Sequence, residues 1–310
     1  MRVLFWGTPE FATPALRALL GEGFDVVGVV TQPDKPVGRS RSTLQPPPVK
    51  QVALEEHVPV LQPEKPRGDA FIAQLTALAP DISVVVAYGH LLPKAVIDLP
   101  ARGTLNIHAS LLPQLRGAAP IQAAIREGHD RTGVTIMRMV EKLDAGPAIL
   151  QLGTKVYDDE TYGELALRLS ELGAAALVEA LALVELGQAR EEPQDESRAT
   201  HAPKIDRAST RVDWSRDARV VARTVRAYDP RPGAHTSLAG QDVKLFGARL
   251  APRPESAEPG TVLSIGDDGI VVACGEGAVR LAQVQPTGKK RMAAADWHRG
   301  RGIAEGQRFG

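Results

Sequence analysis

The sequence predicts a two-domain α/β protein: a mostly parallel sheet covered by helices on both faces, followed by a smaller β-barrel. Three observations predict it. Short continuous Val/Ile runs alternate with helix-like stretches through the first part of the chain, the pattern of strands buried on both faces. A polar stretch from Gln188 to Arg207, carrying Pro193 and Pro203, then breaks the periodicity. Beyond it, short strand-like segments follow one another closely, separated by glycine turns.

Val3–Trp6 is the first apolar run, closed by Gly7, and a helix-like stretch from Glu10 to Leu20 follows it. Val26–Thr31, Ile82–Ala87, Thr104–His108 and Val134–Val140 are the next strands, with helices at Asp69–Leu78 and Ile121–Glu127 among the connections. Tyr162–Leu186 is rich in Ala and Leu and predicts one long helix ending at Gly187. The resulting division is a first domain over 1–188, a linker over 189–207 and a second domain over 208–310. In the last, a helix at Ala218–Arg226 precedes strands near Val243–Phe246, Gly260–Ile265, Ile270–Ala273 and Val279–Val284. That many short strands in so few residues suit a small barrel of the oligonucleotide-binding type.

Net charge is zero, yet residues 208–310 hold 16 Lys and Arg against 11 Asp and Glu, and the rest of the chain 21 against 26. A basic end on an acidic body suits contact with a polyanion, and equally suits uneven surface charge. The single Cys274 excludes an internal disulfide and a cysteine-rich zinc site. The other histidines (His57, His90, His129, His201, His235 and His298) show no metal-ligand spacing, so no metal is expected. Neither G-x-G-x-x-G nor G-x-x-x-x-G-K-[S/T] occurs, which removes the common dinucleotide and nucleotide-phosphate loops. The apolar run at the N-terminus is too short for a signal-peptide core, and the expectation is a soluble cytoplasmic protein.

In an open parallel sheet, chemistry gathers outside the carboxyl ends of the strands. Asn106 and His108 lie two apart at the end of a predicted strand, so their side chains share one face. Asn can donate an amide hydrogen bond to an oxyanion, and His can exchange a proton near neutral pH. Either could instead simply cap the strand end or satisfy buried backbone. Asp144, in Leu143-Asp144-Ala145-Gly146, could orient His108 or accept a proton, or simply serve the turn that Gly146 favours. The proline-containing segment from Thr31 to Val49 carries Lys35, Arg39 and Arg41, with Lys50 just beyond and Asp34 as its only acid. A loop of that charge suits a phosphate backbone or a surface excursion.

The run Asn106-Ile107-His108-x-Ser110-Leu111-Leu112-Pro113-x-x-Arg116-Gly117-x-x-Pro120, with Gly133-Val134-Thr135 and Leu143-Asp144-x-Gly146 after it, resembles the folate-dependent formyltransferases. GTPEFA at 7–12, TQPDKPVGR at 31–39, VVVAYG at 84–89, HASLLPQLRGAAPIQ at 108–122, VDWS at 212–215 and PTGKK at 286–290 extend the likeness over essentially the whole chain. It is strongest to the members that act on a charged initiator tRNA. The resemblance implies a Rossmann-like formyltransferase domain followed by an oligonucleotide-binding-like barrel. It implies Asn106, His108 and Asp144 as the catalytic trio. Ser110, Leu111, Leu112 and Pro113 would lie against tetrahydrofolate, with the backbone of Val86, Ala87, Tyr88 and Gly89 around its pterin. It further implies 10-formyltetrahydrofolate as donor, initiator methionyl-tRNA as acceptor and translation initiation as the setting. Arg39 and Arg41 in the loop, with Lys289, Lys290 and Arg291 near the C-terminus, are then assigned to the tRNA. The alternative acceptor is a small amine such as an amino sugar nucleotide, which needs neither basic region.

Overall fold

The computed structural model describes residues 1–37, 43–252 and 257–310; Arg39 and Arg41 therefore lie outside the described residues. The chain forms two compact units, one of residues 1–117, 132–154 and 166–201, the other of 118–131, 155–165 and 202–310. In chain order the elements begin β1 (Arg2–Gly7), α1 (Thr13–Gly21), β2 (Asp25–Val30), β3 (Lys35–Val37), β4 (Thr43–Gln45), α2 (Pro48–Glu55), β5 (Val60–Leu61) and α3 (Asp69–Ala77). They continue β6 (Ile82–Val86), α4 (Lys94–Ile97), β7 (Thr104–His108), α5 (Pro120–Glu127), β8 (Arg131–Arg138), β9 (Ala148–Lys155) and α6 (Tyr162–Glu185).

The first unit is built on a seven-stranded sheet in the order β5-β2-β1-β6-β7-β8-β9. The five strands from β5 to β7 are parallel, and β8 returns antiparallel to β7. Alternation of side chains along the strands sends Leu4, Trp6 and Val85 to one face, where they pack with Phe71 and Leu75 of α3 and Val96 and Ile97 of α4. Ile107 points to the other face, and a Cβ on Gly173 of α6 would sit only 2.9 Å from its Cγ2, so α6 lies close on that side. From β1 the chain steps outward to β2 and β5, then returns to β6 on the opposite side of β1. That reversal opens a crevice at the carboxyl ends of β1 and β6, the usual place for a ligand in such sheets.

Three details differ from the sequence reading. The strand expected over Val134–Val140 runs Arg131–Arg138, and β9, which was not expected, flanks it at the sheet edge. The basic segment begins and ends as an antiparallel hairpin, with Lys35 opposite Gln45 and Val37 opposite Thr43. The stretch expected as a linker over 189–207 is divided between the units. Residues 189–201 belong to the first, where Glu192 pairs with Ala148, and 202–207 belong to the second.

The second unit continues with α7 (Ala218–Ala227), β10 (Ala234–Leu238), β11 (Gln241–Ala251), β12 (Val262–Gly266), β13 (Gly269–Ala273), β14 (Ala278–Pro286), β15 (Met292–Ala293) and α8 (Ala294–Arg299). Its antiparallel sheet runs β10-β11-β14-β13-β12, with β15 on β14. The two outer strands are joined by the chain's end: Gly310 exchanges backbone hydrogen bonds with Ser237, and Phe309 donates to the carbonyl of Gly260. This closes the sheet into the expected small barrel and leaves little open strand edge. Val221 and Val225 of α7, Trp214 and Phe309 belong to its core, the two rings stacked at 5.6 Å. Trp214 keeps its indole N–H satisfied inside by donating to Thr236 Oγ1 at 2.9 Å. Among the described residues no helix is long and apolar enough to cross a membrane.

Candidate active site

Asn106 and His108 do stand at the carboxyl end of β7, Asn106 beside Val85 of β6 and His108 beside Thr135 of β8. The Asn106 side-chain amide is half-buried and has no hydrogen-bond partner among the described residues. His108 is buried, with Nε2 2.9 Å from the carbonyl oxygen of Leu115. A carbonyl only accepts, so the proton sits on Nε2, and in the neutral ring Nδ1 carries the lone pair. That nitrogen lies 3.6 Å from Asp144 Oδ2, which accepts the backbone N–H of Gly117 at 2.8 Å. Asp144 is held at φ 50°, a left-handed conformation that short polar side chains tolerate best. The structure thus brings His108 and Asp144 together, with Asn106 on the same face of the strand.

The loop after β7 is pinned through Thr135. Its hydroxyl donates to the carbonyl of Ser110 at 2.7 Å and accepts from the N–H of Leu112 at 3.1 Å. Gln151 of β9 adds bonds to the Leu112 carbonyl and to Thr135 at 2.7 and 3.0 Å. Ser110 is buried and donates to the Gln114 carbonyl at 2.6 Å, and Leu112 is buried, so these two shape the loop. Leu111 and Pro113 are its partly exposed members.

Around Val86–Gly89 it is backbone that faces outward. Ala87 and Gly89 are exposed, at φ 47° and 89°. The Tyr88 ring is buried against Trp6, 5.3 Å between centroids, and burial pushes its phenol up to about 12. The Tyr88 carbonyl accepts from Thr8 Oγ1 and Gln32 Nε2 at 3.0 and 3.1 Å, which fixes the turn across the crevice. Leu92 and Met139 pack in one cluster, and beside them in sequence Leu91, Val140 and Leu143 are left exposed. Exposed backbone for a hydrogen-bonding edge, with apolar side chains for a ring, is a donor set that fits a pterin-like heterocycle.

Sequence reasoning missed the residues beneath this site. Arg116 is 2% exposed and donates to Gln194 Oε1 through Nε and a terminal nitrogen, at 3.0 and 2.8 Å. Both its terminal nitrogens also reach Glu196, at 3.1 and 3.0 Å, and Lys142 reaches the same carboxylate at 2.7 Å. Hydrogen bonds from Arg116 and then Lys142 draw the Glu196 carboxyl down to about 2. Thr200 Oγ1 accepts from the N–H of Leu115 at 2.8 Å, just behind the carbonyl that orients His108. Arg116 stood in the recognised run; Gln194, Glu196 and Thr200 carry no motif at all.

In the second unit, Lys289 and Lys290 are exposed between β14 and β15, and neither makes an ion pair among the described residues. Arg291 is otherwise engaged. Its guanidinium pairs with buried Asp229 at 2.8 Å and lies 4.0 Å over the ring of Phe246. The basic run of three is therefore two available cations and one structural arginine.

The family described as Formyl transferase matches residues 1–181, and that described as Formyl transferase, C-terminal domain, matches 204–302. The methionyl-tRNA formyltransferase of Bacillus licheniformis is 47% identical over 310 residues, covering 100% of this chain and 98% of the relative. That of Aromatoleum aromaticum is 50% identical over 309 residues, covering 100% and 97%. Among solved structures, HypX from Aquifex aeolicus in complex with tetrahydrofolic acid superposes with a TM-score of 0.69 at 24% identity. The match covers 96% of this chain and 46% of that longer one, and it shows the fold alone. With both family descriptions matched and near-half identity along its full length, the chain belongs to the formyl transferase family, on its methionyl-tRNA formyltransferase branch.

Proposed function

We propose that this protein transfers a formyl group from 10-formyltetrahydrofolate to the free amino group of initiator methionyl-tRNA, for translation initiation. The observation that carries the mechanism is the pairing of an unsatisfied Asn106 amide with a His108 whose free nitrogen faces Asp144. The folate donor supplies an electrophilic formyl carbon, so no covalent bond to the protein is required. Asn106 donates its amide N–H to the formyl oxygen as charge builds there, with no competing partner among the described residues. His108 takes the proton of the attacking amine at Nδ1, because Nε2–H is already committed to Leu115. Asp144 stabilises the imidazolium so formed and holds the ring in a fixed orientation, itself steadied by Gly117 N–H. As the tetrahedral adduct collapses and the formyl C–N10 bond breaks, the imidazolium gives that proton to the leaving nitrogen of tetrahydrofolate. Ala87 and Gly89 bind the heterocycle through backbone, and Leu111, Pro113, Val140 and Leu143 exclude water around it.

The two units divide this work. The first holds the folate and the catalytic trio, and the second supplies tRNA contacts, Lys289 and Lys290 among them, alongside the loop residues Arg39 and Arg41. Turnover with initiator methionyl-tRNA, elongator methionyl-tRNA and a panel of amino sugar nucleotides tests the reading. Formylation confined to the initiator species is expected. Formylation of a small amine with no activity on charged tRNA would overturn it.

Removing Lys289 and Lys290 together to Ala is expected to weaken tRNA binding and leave folate affinity unchanged. Each lost phosphate contact should flatten the log–log salt dependence by roughly 0.7–0.9. Arg291→Ala is a different experiment, since it leaves buried Asp229 without its counter-charge and should lower stability as well. The measurement is tRNA affinity against salt beside thermal melting. An unchanged slope in the double variant removes those lysines from the interface.

A further inference from the structure

We propose that Gln194 is a positioning residue for Asp144, fixing the turn that aims its carboxylate at His108; the proposal rests on the catalytic reading of Asp144 above. Gln194 is half-buried and uses its amide completely. The carbonyl oxygen accepts from Arg116 Nε and a terminal nitrogen at 3.0 and 2.8 Å. The amide nitrogen donates to the carbonyls of Asp144 and Gly146 at 2.9 and 2.7 Å. One side chain therefore grips the carbonyls on either side of Ala145, in a turn whose first residue is left-handed at φ 50°. A short polar residue tolerates that conformation, but it is held there in one orientation only where neighbouring groups fix the turn. Gln194 and the Gly117 N–H supply that determination, one from the backbone side and one at the carboxylate.

The anchor is itself held from several sides. Arg116 is almost wholly buried, planar, and held at the same time by Glu196, which Lys142 also binds. Its backbone N–H donates to the Thr200 carbonyl at 2.9 Å, so side chain and main chain of Arg116 are both fixed by the 194–200 segment. The same segment reaches the His108 side of the pair through Thr200 and Leu115. The polar strap that follows the long helix in the chain is thus wired to both members of the acid–base pair. Displacing a catalytic group by about 1 Å can cost on the order of a hundredfold in rate, so such wiring has a kinetic consequence.

The test compares Gln194→Leu, Gln194→Glu and Asp144→Asn in the full chain, with the two doubles that combine each Gln194 change with Asp144→Asn. Leu removes every bond. Glu keeps an acceptor for Arg116 while turning a carboxylate oxygen, which cannot donate, against the two turn carbonyls. Both single variants are expected to lose roughly 10–100-fold in kcat, with KM for folate and tRNA within about threefold of wild type. In the Asp144→Asn background the same changes should cost less than about twofold, because a residue acting through Asp144 has nothing left to position. If the Leu variant does not fold, the Glu variant, with Arg116 still anchored, gives the same reading. A full-size loss repeated in the Asp144→Asn background overturns the proposal, as does near-normal kcat in Gln194→Glu. Near-normal turnover in Asp144→Asn alone would instead sink the catalytic assignment of Asp144, and this proposal with it.

Discussion

His108→Ala, Asn106→Ala and Asp144→Ala are each expected to lose formyl transfer by at least roughly a hundredfold while remaining folded. Removing one donor to a developing oxyanion costs about 10²–10³ in rate, and removing a general acid or base about 10²–10⁴. The three changes differ in what they do to the folded state. Asn106 makes no hydrogen bond among the described residues, so its truncation takes away a reacting contact and little stability. His108→Ala leaves the Leu115 carbonyl without its donor, an unsatisfied group that costs about 1–3 kcal/mol where it is buried. Asp144→Ala frees the Gly117 N–H and loosens the turn as well. Single-turnover rates at saturating substrate, read beside circular dichroism, separate chemistry from unfolding. His108→Ala combined with Asp144→Ala should be scarcely slower than His108→Ala alone, since the carboxylate acts through the ring. Near-normal turnover in folded His108→Ala would remove the imidazole from the mechanism.

How much of this was legible in the sequence depends on distance along the chain. The strands of the sheet showed as Val/Ile runs because they are buried on both faces. β9 did not show, because it lies at the edge and buries none of its residues fully. Asn106 and His108 share a face by strand alternation alone, and that is local. Their meeting with Asp144 is not local: β8 runs back antiparallel beside β7, and the turn after it carries the carboxylate to the ring. Residue spacing could only offer that pairing beside a plain turn, and the resemblance was needed to choose it. Gln194 was invisible for a plainer reason. It sits between Pro193 and Asp195 in a polar stretch with no periodicity, where composition predicts a linker and says nothing of a buried arginine waiting for a partner.

Gly146→Ala is expected to cost about 1–3 kcal/mol of stability, the scale for forcing atoms into a packed site, and to reduce turnover steeply. A Cβ at position 146 would lie 1.9 Å from the carbonyl oxygen of Arg138 and 2.9 Å from its carbon, both backbone atoms that no rotamer change can move. Arg138 cannot retreat. Its N–H is bonded to the Pro147 carbonyl at 2.9 Å, and the next residue, Met139, donates to Thr104 of β7 at 2.8 Å. The strain must therefore be taken by the 144–146 turn, which breaks the grip of Gln194 on Gly146 and swings Asp144 away from His108. A shift of about 1 Å there is enough for a loss on the order of a hundredfold. Gly21→Ala is the control: it closes α1, and a Cβ there meets nothing within 4 Å, so it should leave the rate unchanged and the melting temperature equal or slightly raised. The decisive comparison is kcat at a temperature well below the melting point of either variant. Gly146→Ala with wild-type kcat would mean that the Asp144 turn tolerates displacement, and that the carboxylate need not be aimed at the ring.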